Sequence, residues 1–169
     1  MNEEPLWKAC ADWFCRLGIL PDNHRILWSD ASMKDLAYAL RDGVLLCHVA
    51  STLYPEAVDQ KNVNQRPQMA QFLCLKNIKI FLNACRDSFG LKETDLFNPA
   101  MLYDYTDFAR VLQTLSKLSH SEVAQSKRGD IEGFPKRTRS ANLAQTNNSD
   151  KGGARKQATK HNQEEEIYR

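Results

Sequence analysis

Long apolar runs are absent from this chain of 169 residues. No stretch approaches the roughly 18 consecutive apolar residues that indicate a membrane-spanning helix. The first residues, MNEEPLWK, also lack the apolar segment of a secretory signal peptide. We therefore expect a protein that has no membrane span and resides in the cytoplasm.

Glycine and regular alternation are scarce as well. The chain has seven glycines, and no segment repeats itself at a fixed period, so we predict no repeat architecture. No segment alternates apolar and polar residues over the length of a strand, so the sequence predicts no β-sheet.

Charge of one sign is also lacking, because the net charge is only +2. Residues 120–169 hold 10 lysines and arginines against 7 aspartates and glutamates, whereas residues 1–119 hold 13 against 14. Nucleic-acid-binding domains usually concentrate basic residues on one face. We therefore predict no nucleic-acid partner.

Catalytic and metal-binding motifs are missing too. The sequence contains no P-loop, no dinucleotide-binding glycine motif, no nucleophile elbow and no H-E-x-x-H helix. Its four histidines are not spaced as metal ligands, and His48 follows Cys47 directly on a predicted helix, where adjacent side chains diverge. We predict no catalytic residue, metal or cofactor, and an enzyme with an unfamiliar site is kept only as an alternative.

The five cysteines form no C-x-x-C pair. Four of them lie among apolar residues of predicted helices: Cys10, Cys47, Cys74 and Cys85. We interpret them as small buried residues with free thiols in a reducing compartment, in preference to redox or metal-binding groups.

The first 119 residues do show the apolar periodicity of helices. Apolar spacing predicts a helix over residues 6–17. Ser32, with an aspartate three residues later, predicts the start of a short helix. Asp42 is a candidate N-cap for a further helix that Pro55 closes, and residues 56–66 predict a loop.

A long central helix is predicted to begin at Pro67, which suits a first helical turn. About 22 residues would make it about 33 Å long, and Gly90 is a natural residue to follow its end. Its apolar stripe consists of Phe72, Leu75, Ile78, Phe81, Leu82, Cys85 and Phe89.

The end of the globular region is predicted at residue 120. Residues 91–105 predict short turns or one-turn helices, broken by Pro99, before a last helix that Thr106 is expected to cap. Its buried face consists of Phe108, Val111, Leu112, Leu115 and Leu118. Low hydrophobicity then predicts a disordered tail over residues 121–169, in which residues 131–135 form a small apolar island, and docking of this island on the domain is one interpretation.

The three tryptophans leave two interpretations open. Trp13 shares a helix face with apolar residues, so core packing is expected. Trp7 and Trp28 are candidates for partial exposure. Since tryptophan is a common interface anchor, Trp7 is a candidate interface residue, with core packing as the alternative.

The segment LRDGVLLC, together with Lys76–Asn77–Ile78 and the Phe81–Leu82 pair that follows, resembles a calponin-homology domain. The string RPQMAQFLCLKNI at residues 66–78 is similar to the Vav family of Rho/Rac exchange factors. The resemblance implies an all-α calponin-homology fold of four main helices with shorter connecting helices. It assigns structural motif positions to Arg41, Asp42, Gly43, Phe72, Asn77, Ile78 and Phe81.

The same resemblance implies a function. In Vav proteins the N-terminal region holds the catalytic exchange domain closed, and tyrosine phosphorylation loosens that hold. Glu166–Ile167–Tyr168 resembles the first acidic tyrosine site of the family, so Tyr168 is a candidate regulatory phosphotyrosine. The basic and polar character of residues 127–160 departs from the acidic tail of the family. We expect a monomeric, non-catalytic module that contributes to autoinhibition and to signalling to the actin cytoskeleton.

Two further protein partners remain open. Calponin-homology domains are associated with F-actin, so a direct F-actin-binding module is the alternative function. The bulky aromatic residues of the Cys10–Leu17 helix also make calmodulin a conceivable partner, although burial of that helix is the favoured interpretation.

Overall fold

The computed structural model describes residues 4–67 and 70–135, and within them the chain is helical and without strands. The helices are α1 (Leu6–Arg16), α2 (Met33–Leu40), α3 (Val44–Leu53), α4 (Gln71–Asp87), α5 (Pro99–Tyr103), α6 (Phe108–Ser119) and α7 (Glu122–Lys127). Short 3₁₀ turns lie at Arg25–Leu27, Pro55–Ala57, Gln60–Asn62 and Glu93–Asp95. The all-α prediction of four longer helices with short connecting helices is confirmed.

The beginning of α2 confirms the predicted cap, whereas the beginning of α3 corrects one. The backbone N–H of Ser32 donates to the Asp35 carboxylate at 2.8 Å, and Ser32 Oγ accepts from the Asp35 N–H at 3.4 Å. The N-cap of α3 is Gly43 and not Asp42. Asp42 lies one residue earlier and accepts from the N–H of Val44 at 3.0 Å, because Gly43 adopts the left-handed backbone with φ +79°.

The central helix α4 begins later than predicted, at Gln71 and not at Pro67. The backbone of Ala70 is extended, with ψ 106°, so the helix cannot include the residues before it. At 17 residues α4 is still the longest helix described, about 25 Å long. Its first turn is mostly open: Phe72 is 72% exposed, whereas Cys74 is buried and begins the buried face.

The short turns or one-turn helices predicted before α6 are the 3₁₀ turn Glu93–Asp95 and the five-residue α5. Pro99 opens α5, with the Asn98 side chain accepting from the N–H of Ala100 at 3.0 Å. The predicted cap of α6 was wrong. The cap of α6 is Asp107 and not Thr106, because the Asp107 carboxylate reaches the N–H of Arg110 at 3.1 Å. The predicted buried face of α6 is confirmed in full.

The compact unit continues past residue 120 and ends at Pro135. Phe134, in the apolar island, is fully buried and its ring centroid lies 5.1 Å from that of Trp13. Its carbonyl accepts from Ser116 Oγ at 2.6 Å, and its N–H donates to Ser119 Oγ at 3.0 Å. The island therefore docks on α1 and α6. Residues 136–169 lie outside the described residues.

All five cysteines have free thiols, and burial raises the pKa of the thiols in the core. Removal of water raises the pKa of the Cys47 thiol to about 12, helped by the nearby Asp42 carboxylate. Burial alone raises the pKa of the Cys10 thiol well above its usual value. These two thiols stay protonated near neutral pH and act as small apolar side chains.

Across residues 4–67 and 70–135, no helix is long and apolar enough to cross a bilayer.

Candidate functional site

The motif residues around Asn77 meet at a buried hydrogen-bonded junction. Asn77 is fully buried on α4. Its Nδ2 donates to the carbonyls of Asp42 and Asn64 at 3.0 and 2.9 Å, and its Oδ1 accepts from the N–H of Asn64 at 2.9 Å. One amide side chain thus joins the α2–α3 turn, the loop before α4 and α4 itself.

Gly43 lies directly against this junction. A Cβ atom on Gly43 would stand 2.6 Å from the Cβ of Asn77 and 2.8 Å from the backbone nitrogen of Ile78. The Sγ of Cys47 donates to the carbonyl of Asn77 at 3.3 Å on the same side. The junction is closely packed and holds the helices together.

Arg41 belongs to a different surface. Its Nε donates to the carbonyl of Tyr103 at 3.0 Å, and its guanidinium carbon lies 4.0 Å from the centroid of the Tyr103 ring. This stacked contact fixes the end of α5 against the end of α2.

A groove of about 350 Å³ opens beside this contact, and we call it the tyrosine groove. Buried Ala37 and Leu102 form its floor. Its walls consist of Lys34, Tyr38, Arg41, Tyr103, Asp104 and Tyr105.

The two outer rings of the tyrosine groove face solvent. Tyr38 is 73% exposed and Tyr105 is 37% exposed. Lys34 Nζ lies 5.7 Å from the centroid of the Tyr105 ring, and the Tyr105 ring packs beside Phe108 with 6.0 Å between centroids. An open aromatic surface with cations beside it is suited to binding a partner.

The other predicted residues are spread over the domain. Ile78 and Phe81 are fully buried on α4 and contribute to the core. Trp7 is half-buried on α1 and packs against the core, with Lys8 Nζ at 5.7 Å from its ring. Phe72 is exposed, and Tyr168 lies outside the described residues.

The aromatic face of α1, considered above as a calmodulin ligand, is in the core. Cys10, Trp13 and Phe14 are each at most 1% exposed. This burial matches the favoured interpretation of that helix.

Among residues 4–67 and 70–135, no group of three or more histidine, cysteine, aspartate or glutamate residues is placed to hold a metal ion. The sequence patterns did not predict the tyrosine groove. The short string Tyr103–Asp104–Tyr105, which follows a turn that begins with a proline, was the local indication of an aromatic surface. Its partnership with Tyr38 could not be read from the sequence, because the two walls are more than 60 residues apart.

The match to known families decides the classification of the chain. Residues 4–123 match the calponin homology (CH) domain. The chain belongs to the calponin homology domain family. The predicted resemblance of this domain to Vav proteins is confirmed by the relatives described next.

Curated relatives of this calponin homology domain are Vav proteins. The chain is 49% identical to "Protein vav" of Drosophila melanogaster over 129 residues, which are 76% of this chain and 16% of the relative. It is 50% identical over 118 residues to mouse "Guanine nucleotide exchange factor VAV3", covering 70% of this chain and 14% of the relative. It therefore spans less than a fifth of the length of either relative.

Solved structures give the same result at the level of the fold. The domain superposes on a structure described as autoinhibited Vav1 with a TM-score of 0.73 and 47% identity. The match covers 77% of this chain and 24% of that chain. A structure of Vav1 inhibited by an allosteric inhibitor gives a TM-score of 0.76 and 46% identity, covering 80% of this chain and 24% of that one.

Proposed function

We propose that this chain is the non-catalytic, N-terminal regulatory module of a Vav-type exchange factor for Rho/Rac GTPases. In this role the calponin homology domain packs against other domains of the factor and lowers the rate of nucleotide exchange, which links it to signalling to the actin cytoskeleton. The observation that carries the proposal is the likeness to the structure described as autoinhibited Vav1.

The physical requirements for such regulation are modest. A tenfold reduction in activity needs a difference of only about 1.4 kcal/mol between the docked and released states. A closely packed helical domain with exposed aromatic side chains supplies this through a small contact area. Trp7, half-buried at the beginning of α1, is our candidate for one such contact.

Phosphorylation of Tyr168 is the proposed release signal. A phosphate adds a charge of about −1.5 to −2 beside the three glutamates at 164–166. Repulsion between these like charges disfavours any packed arrangement of the segment. We place the module in the cytoplasm as a monomer, in keeping with its free thiols.

The test is addition of residues 1–169 in trans to the isolated exchange domain of a Vav protein. Release of a fluorescent nucleotide from Rac reports the exchange rate, and we expect the rate to fall to a plateau as the module saturates. Trp7→Ala should shift the inhibition curve to higher concentrations. Trp28→Ala is the comparison variant, because it removes a second tryptophan, 58% exposed, from a site to which the proposal assigns no contact.

Thermal unfolding of each variant shows whether it remains folded. An exchange rate that stays constant up to high micromolar concentrations of the folded module would contradict the regulatory proposal. The phosphorylated chain, prepared with a tyrosine kinase, should inhibit more weakly than the unphosphorylated chain.

Direct F-actin binding is the alternative, tested by co-sedimentation at physiological salt. Residues 1–119 carry 13 basic against 14 acidic side chains, so they offer little attraction to an acidic filament. Both the full chain and a chain ending at residue 135 should be tested, because the basic residues after 135 can associate weakly through charge alone. Sedimentation of the shorter chain with filaments would support the alternative.

A further inference from the structure

The tyrosine groove has the composition of a binding surface, and the regulatory role proposed above does not use it. Tyr38 stands 73% exposed on one wall and Tyr105 stands 37% exposed on the other. Tyrosine and arginine are enriched among the residues that dominate binding energies, because their rigid planar groups offer large contact areas together with polar ends.

The backbone conformation of Tyr105 is a second indication that the groove is a binding site. Its φ is +59°, the only positive φ at a non-glycine residue in the part of the chain that the structure describes. Large side chains rarely adopt this conformation, and where they do the position is often functional. The N–H of Tyr105 donates to the carbonyl of Leu102 at 3.1 Å, and the ring packs beside Phe108. These contacts hold the ring at the edge of the groove.

Both cations of the groove come from α2 and its C-terminal end. Lys34 and Arg41 both line it from the α2 side, with Tyr38 between them. Their backbones are seven positions apart, which corresponds to about 10.5 Å along the helix axis, and their charged ends lie near the Tyr105 and Tyr103 rings. Asp104 is the one carboxylate of the lining and lies on the opposite wall.

We propose that the tyrosine groove binds a short, extended, proline-containing peptide of another protein that carries two carboxylates three residues apart. A polyproline II helix rises about 3.1 Å per residue, so these carboxylates are about 9 Å apart. Carboxylates at this spacing are within reach of the flexible Lys34 and Arg41 side chains, with which they form charge-assisted contacts.

The rest of the groove suits the same ligand. Proline rings between the two carboxylates lie on the Tyr38 and Tyr105 rings, as in other aromatic grooves that bind extended peptides. Asp104 accepts a hydrogen bond from a backbone N–H of a residue other than proline. A volume of about 350 Å³ is at the lower end for ligand sites and holds a few residues. This binding requires no exchange domain and goes beyond the regulatory function.

The test uses the full chain and a fluorescein-labelled peptide, Ala-Glu-Pro-Pro-Glu-Ala. We expect saturable binding by fluorescence anisotropy with a Kd below about 1 mM, weakened by added salt. Backbone amide shifts by NMR should locate the binding at Tyr38, Tyr103 and Tyr105. Tyr38→Ala should weaken binding at least about tenfold, whereas Phe72→Ala, the loss of an equally exposed ring elsewhere, should not change it.

Variation of the peptide tests its chemistry. Replacing both glutamates by glutamine, or both prolines by alanine, should weaken binding to the unchanged chain about tenfold. The proposal is overturned by absence of saturable binding up to about 1 mM peptide, by equal affinity of Tyr38→Ala, or by equal affinity of the glutamine peptide.

A last outcome separates this inference from the regulatory function. If Tyr38→Ala relieves inhibition of the exchange domain in trans while the peptide does not bind, the groove is a docking surface for that domain. The peptide assignment then fails and the regulatory function stands.

Discussion

The Gly43–Asn77 contact shows how much of this fold depends on single residues. The fully buried Asn77 side chain forms three hydrogen bonds with the backbones of Asp42 and Asn64. Removal of such an amide would leave buried backbone groups without partners, which costs more than the hydrogen bonds themselves contribute. Gly43 allows α3 to begin in contact with this amide, since no side chain stands between them.

Gly43→Ala should therefore be far more destabilising than Gly90→Ala. Both glycines have positive φ, +79° and +75°, so both substitutions carry the backbone cost of about 1–2 kcal/mol. Only the Cβ at position 43 meets neighbours, whereas position 90 has nothing within 4 Å. We expect about 3 kcal/mol or more for Gly43→Ala, measured by urea unfolding. Equal losses at the two positions would contradict the packing explanation.

At the scale of elements, α4 organises the core but not along its whole length. Its buried residues are Cys74, Asn77, Ile78, Phe81, Leu82, Ala84 and Cys85, whereas Phe72 in the first turn is exposed. The apolar periodicity correctly predicted the helix and the burial of its middle, but it was wrong for Phe72. It could not predict the start, because the start is set by the extended backbone at Ala70.

Phe81→Ala measures the contribution of α4 to the core. Phe81 is fully buried, and its ring centroid lies 6.4 Å from that of Phe97. We expect a loss of about 3–5 kcal/mol in the free energy of unfolding, a large part of the stability of an ordinary domain. Phe72→Ala is the control on the same helix and should change it by at most about 0.5 kcal/mol. Similar losses in both variants would show that the burial assignment is wrong.

At the scale of the whole molecule, the segment after α6 completes the domain. Besides the Phe134 contacts, the Arg16 guanidinium donates to the carbonyl of Glu132 at 2.7 Å. A Cβ at Gly133 would come within 2.7 Å of Ser119 Oγ, so the segment lies directly on α6. It covers Trp13, which is 1% exposed.

Truncation tests this role of the segment. A chain ending at residue 135 should retain the free energy of unfolding of the full chain, because the compact unit ends there. A chain ending at residue 120 should lose about 3–5 kcal/mol, the cost of removing a buried phenylalanine. The measurement is tryptophan fluorescence during urea unfolding. Phe134→Ala in the 135-residue chain should account for most of the loss, and a fully stable 120-residue chain would contradict it.

Local sequence patterns determined the helical class, most of the helices, the buried face of α6 and that of α4 except at Phe72, since helix periodicity depends only on neighbours a few positions apart. The capping box at Ser32 was equally local. The caps at Gly43 and Asp107 were missed by one residue, because several adjacent side chains could serve and only the packed backbone selects among them.

Tertiary structure alone decided the tyrosine groove, the Asn77 junction and the burial of Phe134. Each of these brings together residues that are far apart in the chain, such as Tyr38 and Tyr105, or Trp13 and Phe134. Distances of this kind follow from the packing of whole helices and not from the pattern along any one of them.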